Sequence, residues 1–134
     1  MNTSNDLILK LINGSRKEAM NINLTFVDVR DVALSHIAVY ENSGTEGRHL
    51  CISESASYID ICDRLRTLFP QYATQIPSKV AGYDERPLSS PTKFSNKKLT
   101  SYPNRVHFRG LDTMLFDTVS SLEEKGFLKP PSKL

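Results

Sequence analysis

The chain has 134 residues, 39% of them hydrophobic and 24% charged, with a mean hydropathy of −0.34 and a net charge of +2. These values are those of an ordinary soluble protein of single-domain size. They exclude disordered and collagen-like classes, and no apolar run approaches the ~20 residues of a membrane span. So small a net charge calls for neither nucleic acid nor a membrane surface as partner. The first residues, Met1 to Asp6, have no basic region and no long apolar core, so a cytoplasmic address is expected.

Leu7, Ile8, Leu11 and Ile12 recur at helical spacing behind a Thr3–Asp6 capping pattern, and Asn13-Gly14 supplies a stop, which predicts a short first helix. Leu24 to Val27 is a short β-prone run. Val29, Val32, Ala33, His36, Ile37 and Tyr40 then form the stripe of an amphipathic helix, with Asp28 as N-cap and the stripe expected to face the core. Gly47 to Ile52, ending in Leu50-Cys51-Ile52, suits a strand buried on both faces. Ser57 with Asp60 caps a third helix whose inner face is Tyr58, Ile61, Cys62, Leu65, Leu68 and Phe69, and Pro70 closes it.

Residues 70–92, with Pro70, Pro77, Gly82, Pro87 and Pro91, are expected to form a long loop. A short serine-capped helix over Ser95–Leu99 and a small strand over Arg105–Phe108 follow. The last helix carries Leu111, Met114, Leu115, Thr118, Val119 and Leu122 on one face and stops at Gly126; the tail from Lys129 should be disordered. The pattern is α/β, with too few strands for a complete doubly wound sheet.

Chemistry is sparse. Gly44-Thr45-Glu46-Gly47 follows a helix instead of a strand and so lacks the setting of a phosphate-cradling turn. A tyrosine-based reductase needs a lysine four residues on, and none of Tyr40, Tyr58, Tyr72, Tyr83 or Tyr102 has one. Cys51 and Cys62 lie outside any zinc or redox pattern and read as reduced core thiols. His36, on the apolar stripe, reads as a core histidine. His49 and His107 have no neighbouring nucleophile, and Asp28 and Asp31 are explained by capping. No catalytic, cofactor-binding or metal residue is therefore nominated. Arg86, Lys93, Lys97, Lys98, Arg105 and Arg109 make an acid-free basic stretch, read as a solvated face, with an anion site as the sharper alternative.

Phe26-Val27-Asp28-Val29-Arg30-Asp31-Val32-Ala33, followed by Ser35-His36-Ile37, resembles a hallmark of the extended short-chain dehydrogenases/reductases. The plant-type cinnamoyl-CoA reductase and dihydroflavonol reductase group, within the NAD-dependent epimerase/dehydratase superfamily, is most similar. Asn2-Thr3-Ser4 before a helix ending Leu11-Ile12-Asn13-Gly14, Gly47 to Cys51, Lys93 to Leu99, and Asp117 to Leu128 continue the resemblance in register. It implies the C-terminal part of a Rossmann-type reductase: residues 1–128 as the substrate-side portion, made of the last sheet strand, at Gly47–Ile52, plus most of the small substrate lobe, with 129–134 a disordered tail.

On that footing the glycine turn and the Ser, Tyr and Lys of the reaction lie in a portion not represented here. The implied function is the substrate side of an NADP-dependent oxidoreductase acting on a carbonyl or CoA thioester of phenylpropanoid or flavonoid type, inactive alone and binding a small-molecule substrate in the intact enzyme. The resemblance marks Thr3, Ser4, Met20 and Thr25 as substrate-lining positions. The alternative is a non-catalytic truncated paralogue acting as an interaction protein, with self-association through exposed sheet surface.

Overall fold

The computed structural model describes residues 2–81, 90–103 and 106–130. Among the described residues there are five α-helices, α1 (Thr3–Ile12), α2 (Val29–Glu41), α3 (Tyr58–Leu68), α4 (Lys97–Thr100) and α5 (Leu111–Glu124), and two strands, β1 (Asn23–Phe26) and β2 (Glu54–Ser57). The small α/β architecture agrees with the pattern of elements. The strands pair antiparallel, with Asn23 opposite Ser57 and Thr25 opposite Ser55. Alternation sends Leu24, Phe26 and Ala56 toward the core, leaving a short-chain polar face on the other side.

The core lies where α1, α3 and α5 meet the inner sheet face. Leu11, Ile12, Tyr58, Ile61, Cys62, Leu65, Tyr72, Leu111 and Val119 are all fully buried in it. α1 begins one residue earlier than the Thr3 pattern suggests: Asn2 is the N-cap, and its side chain accepts from the Asn5 N–H at 2.9 Å. α3 carries the expected reciprocal box between Ser57 and Asp60. α5 has Gly110 at its N-cap, which offers no side chain. A distant carboxylate takes that role, since Glu54 Oε2 accepts from the Leu111 N–H at 3.1 Å while Oε1 accepts from Arg64 at 2.5 Å.

Several expectations are corrected. The segment Gly47–Ile52 pairs with no strand among the described residues; the strand of this region is β2, which begins after it. Leu50 is exposed, and Cys51 and Ile52 are only half-buried. Val106 to Phe108 is not a strand either, and Arg105 lies outside the described residues. Within the expected 70–92 loop, Pro70–Tyr72 forms a 3-10 turn whose Tyr72 hydroxyl donates to Glu123 at 2.6 Å, and Ala19 bridges to Val80. Gly82 and Pro87 fall outside the described residues. So do the last four residues of the expected tail.

The largest departure concerns α2. Its buried residues are Asp31, Ser35 and Ala38, whereas Val29 (79% exposed), Ile37 (52%) and Tyr40 (91%) face outward. His36 is exposed with them, so it is not a core histidine; its Nδ1 lies 2.8 Å from the Val32 carbonyl oxygen. The periodicity is real, but the helix is turned so that its apolar stripe points away from the chain's own core. What turns it is polar. Asp31 is fully buried and accepts from the Arg109 backbone N–H at 2.7 Å and from the Arg109 guanidinium, which ties α2 to the segment leading into α5. Asp28, at the N-cap, accepts from the Arg30 N–H at 2.8 Å, and Arg30 also reaches Asp117 on α5.

Candidate functional site

The four substrate-side positions divide among three places. Thr3 and Ser4 are exposed in the first turn of α1, where Asn2 and the backbone of Asp6 fix the helix start. Met20 follows the Ala19–Val80 bridge and packs, half-buried, against the core. Thr25 is exposed on the polar face of β1, directly opposite Ser55.

That polar face is wider than the sequence suggested. Asn23 lies two residues from Thr25 and therefore on the same side; its amide donates to the Ser90 carbonyl. Ser55 Oγ accepts from the Thr92 N–H at 2.9 Å. Residues 90–92 thus cross the strand pair, and the surface presents hydroxyls, an amide and backbone groups. Such groups can hydrogen-bond a small polar ligand and orient it. The alternation of Asn23 and Thr25 with Leu24 and Phe26 was the sequence signal for this face, but Ser55 and Ser90 could enter only once the pairing was known.

Charge near this surface is committed to structure. Arg16 sits over the Tyr58 ring, 5.8 Å from its centroid, and burial raises the Tyr58 phenol above its ordinary pKa. The Arg30 hydrogen bond holds Asp28 at about 2, well below the usual carboxylate range. Burial pushes Cys62 up to about 11, which fits a core thiol and not a nucleophile. Within the basic stretch Lys93, Lys97 and Lys98 are exposed, in keeping with a solvated face. Arg109 is paired with Asp31, Lys98 Nζ donates to the Glu46 carbonyl, and Arg86 and Arg105 fall outside the described residues.

A dinucleotide pyrophosphate needs a strand that runs through a glycine turn into a helix whose first N–H groups are free. Among the described residues two strands run into helices, β1 into α2 and β2 into α3. In each, the helix N-terminus is held by the chain's own side chains, the Asp28 carboxylate in one and the reciprocal Ser57–Asp60 box in the other. Neither junction contains glycine. These residues do not fit the phosphates of a nicotinamide cofactor.

No protein-family model matches the chain. It is 37% identical over 131 residues, 98% of its length, to cinnamoyl-CoA reductase 2 of Medicago truncatula, and 39% identical over 126 residues to cinnamoyl-CoA reductase 1 of Petunia hybrida. It is 33% identical over 103 residues to dihydroflavonol 4-reductase of Arabidopsis thaliana. Among solved structures it is similar to vestitone reductase from alfalfa, with a TM-score of 0.72 and 25% identity over 95% of this chain and 40% of that one. It shares the fold of the yeast methylglyoxal/isovaleraldehyde reductase complexed with NADPH, with a TM-score of 0.68 and 23% identity over 92% of this chain and 40% of the other. The chain spans 38% of the Medicago truncatula enzyme and 36% of the Petunia hybrida one. By sequence the chain is a homologue of cinnamoyl-CoA reductases and dihydroflavonol reductases, its fold is that of their reductase neighbours, and it spans little more than a third of the length of such an enzyme.

Proposed function

We propose that this chain is the C-terminal, substrate-side portion of an NADP-dependent reductase acting on a carbonyl or CoA thioester of phenylpropanoid or flavonoid type, with residues 1–128 as that portion and 129–134 as a tail. The observation that carries the reading is the outward apolar stripe of α2. A helix stripe of this kind exists to be buried, and here the chain's own core occupies a different face. After it in the chain comes Gly47–Ile52, which ends in the apolar Leu50-Cys51-Ile52 and pairs with no strand among the described residues. A helix stripe and a strand-like segment left without a sheet are what an α/β unit lacks when its sheet lies elsewhere. The relatives extend well beyond the matched 38%, and in this reading the occupant is the dinucleotide-binding body of such a reductase.

In this reading Thr3, Ser4, Met20 and Thr25 bind and orient the substrate, while NADPH and the proton-transferring groups belong to that body. The chain by itself is then inactive, because hydride transfer requires a positioned nicotinamide. The test is direct. Purified chain mixed with NADPH and cinnamoyl-CoA, or with a dihydroflavonol, should consume no NADPH, and steady turnover would overturn the proposal.

The same exposed stripe favours a second reading, in which the chain is a non-catalytic interaction protein that associates with copies of itself. Sedimentation equilibrium separates the two. A dimer that Ile37→Asp converts to monomer would favour association, and a monomer at all concentrations would remove it.

A further inference from the structure

A cavity lies between α2, the segment His49–Cys51 and α4, apart from every substrate-side position. Its volume is about 220 Å³, and it is lined by Ser35, His36, Val39, His49, Cys51 and Leu99. An apolar cavity of ~150 Å³ accommodates a benzene ring, whereas sites for drug-sized ligands run from ~300 Å³ upward. The space therefore suits one substituted ring. It is too small for a nucleotide or a CoA thioester.

The polar atoms of the lining narrow the choice. Ser35 donates its single hydroxyl proton to the Asp31 carbonyl at 2.7 Å, so in the 3.3 Å contact with Cys51 the thiol is the donor. His49 Nε2 is engaged by the Tyr102 hydroxyl at 2.5 Å, with the two rings 5.6 Å apart. His36 Nδ1 faces the Val32 carbonyl at 2.8 Å. A carbonyl can only accept, so Nδ1 carries the proton, and in the neutral imidazole Nε2 is then a bare acceptor. Val39, Cys51 and the fully buried Leu99 supply apolar surface.

We propose that this cavity binds a small phenol: one aromatic ring bearing a hydroxyl, the ring against Val39 and Leu99 and the O–H donating to His36 Nε2. None of its residues is a substrate-side position and its ligand is too small to stand for the proposed substrate, but His36 lies on the outward stripe of α2 and His49 and Cys51 on the unpaired segment, so the site borders the surface that the proposed body would cover and is tested on the chain as it stands.

The test is an amide chemical-shift titration of the full chain with phenol and, separately, with anisole, which has the same ring but no donor. Phenol should bind saturably with a Kd on the order of 1 mM, as expected of so small a ligand, and shift residues 35–39, 49–51 and 97–100. Anisole should bind about fivefold more weakly, the worth of one hydrogen bond. Val39→Phe fills the cavity and should weaken phenol at least about tenfold. His36→Phe, at an exposed position, should erase the preference for phenol and serves as the second variant if Val39→Phe does not fold. Equal affinity for the two ligands would overturn the proposal. So would phenol shifts centred on Val29, Ala33, Ile37 and Tyr40, or unchanged binding by the cavity-filling variant.

Discussion

The double substitution Ile37→Lys with Tyr40→Lys asks whether α2 is oriented as described. Both side chains project outward, Tyr40 at 91% exposure and Ile37 at 52%, so unfolding exposes little new apolar surface from Tyr40 and about half of Ile37, worth about 1 kcal/mol. Lysine is a slightly better helix former than isoleucine or tyrosine, and its charge near the helix C-terminus is favourable, each effect a few tenths of a kcal/mol. The expected change in folding free energy is therefore a loss of about 0.5–1 kcal/mol, from the half-covered Ile37. Had the stripe faced the core, removing two such side chains would cost about 2–5 kcal/mol each. Urea denaturation followed by circular dichroism measures the difference. Light scattering and binding of a hydrophobic dye should both fall in the variant, since the adhesive surface is gone. Ala38→Lys, aimed at the buried side of the same helix, is the contrasting control and should destabilise strongly. A loss above about 2 kcal/mol in the double variant would refute the orientation.

Asp31→Ala should cost about 3 kcal/mol, because it leaves the Arg109 backbone N–H and guanidinium without their buried acceptor; Asp31→Asn, which keeps one oxygen, should cost about half as much. Denaturant midpoints of the two variants check the order, and equal losses would contradict it. Asp28 titrates near 2 in the folded chain against 3.8 for an unperturbed group. Its contribution is fully present above the unfolded value and is lost as the pH falls through the folded one. The amount is about 1–2 kcal/mol after allowance for the half-exposed Arg30. Between pH 5 and pH 2 the natural chain should lose that much more stability than Asp28→Asn, and parallel losses would count against the pairing. Gly14 has φ +73°, and a Cβ there would stand 3.3 Å from the Gln75 carbonyl oxygen. Gly14→Ala should therefore cost about 1–2 kcal/mol of folding free energy, read as a lowered thermal midpoint, and an unchanged midpoint would contradict it.

The elements legible in the sequence were those whose evidence is local. α1, α3 and α5 announce themselves through periodic leucines and isoleucines bounded by Asn13-Gly14, by the Ser57–Asp60 box and by Gly126. β1 shows its alternation. β2 was invisible because Glu54-Ser55-Ala56-Ser57 has no β-prone side chain; it is a strand only because it lies against β1. Gly47–Ile52 had the composition of a strand without the partner that makes one, and composition cannot reveal a partner. The stripe of α2 was equally plain, but which face meets the core depends on Arg109, seventy-eight residues beyond Asp31. The same distance hid the cavity, whose walls come from three separated segments. The substrate-side positions Thr3, Ser4, Met20 and Thr25 were reached through resemblance, and the hydroxyls of Ser55 and the carbonyl of Ser90 that enlarge their polar face emerge only from the fold.

The most direct measurement grafts the chain onto the dinucleotide-binding part of Medicago truncatula cinnamoyl-CoA reductase 2, in place of the 131-residue stretch that it matches there. Amide hydrogen exchange is then followed across residues 47–52, together with NADPH-dependent reduction of a panel of aldehydes and CoA thioesters. The account predicts slow exchange across 47–52 in the chimera, fast exchange in the isolated chain, and reduction by the chimera alone. A folded, NADPH-binding chimera that left 47–52 as rapidly exchanging as in the isolated chain would contradict it.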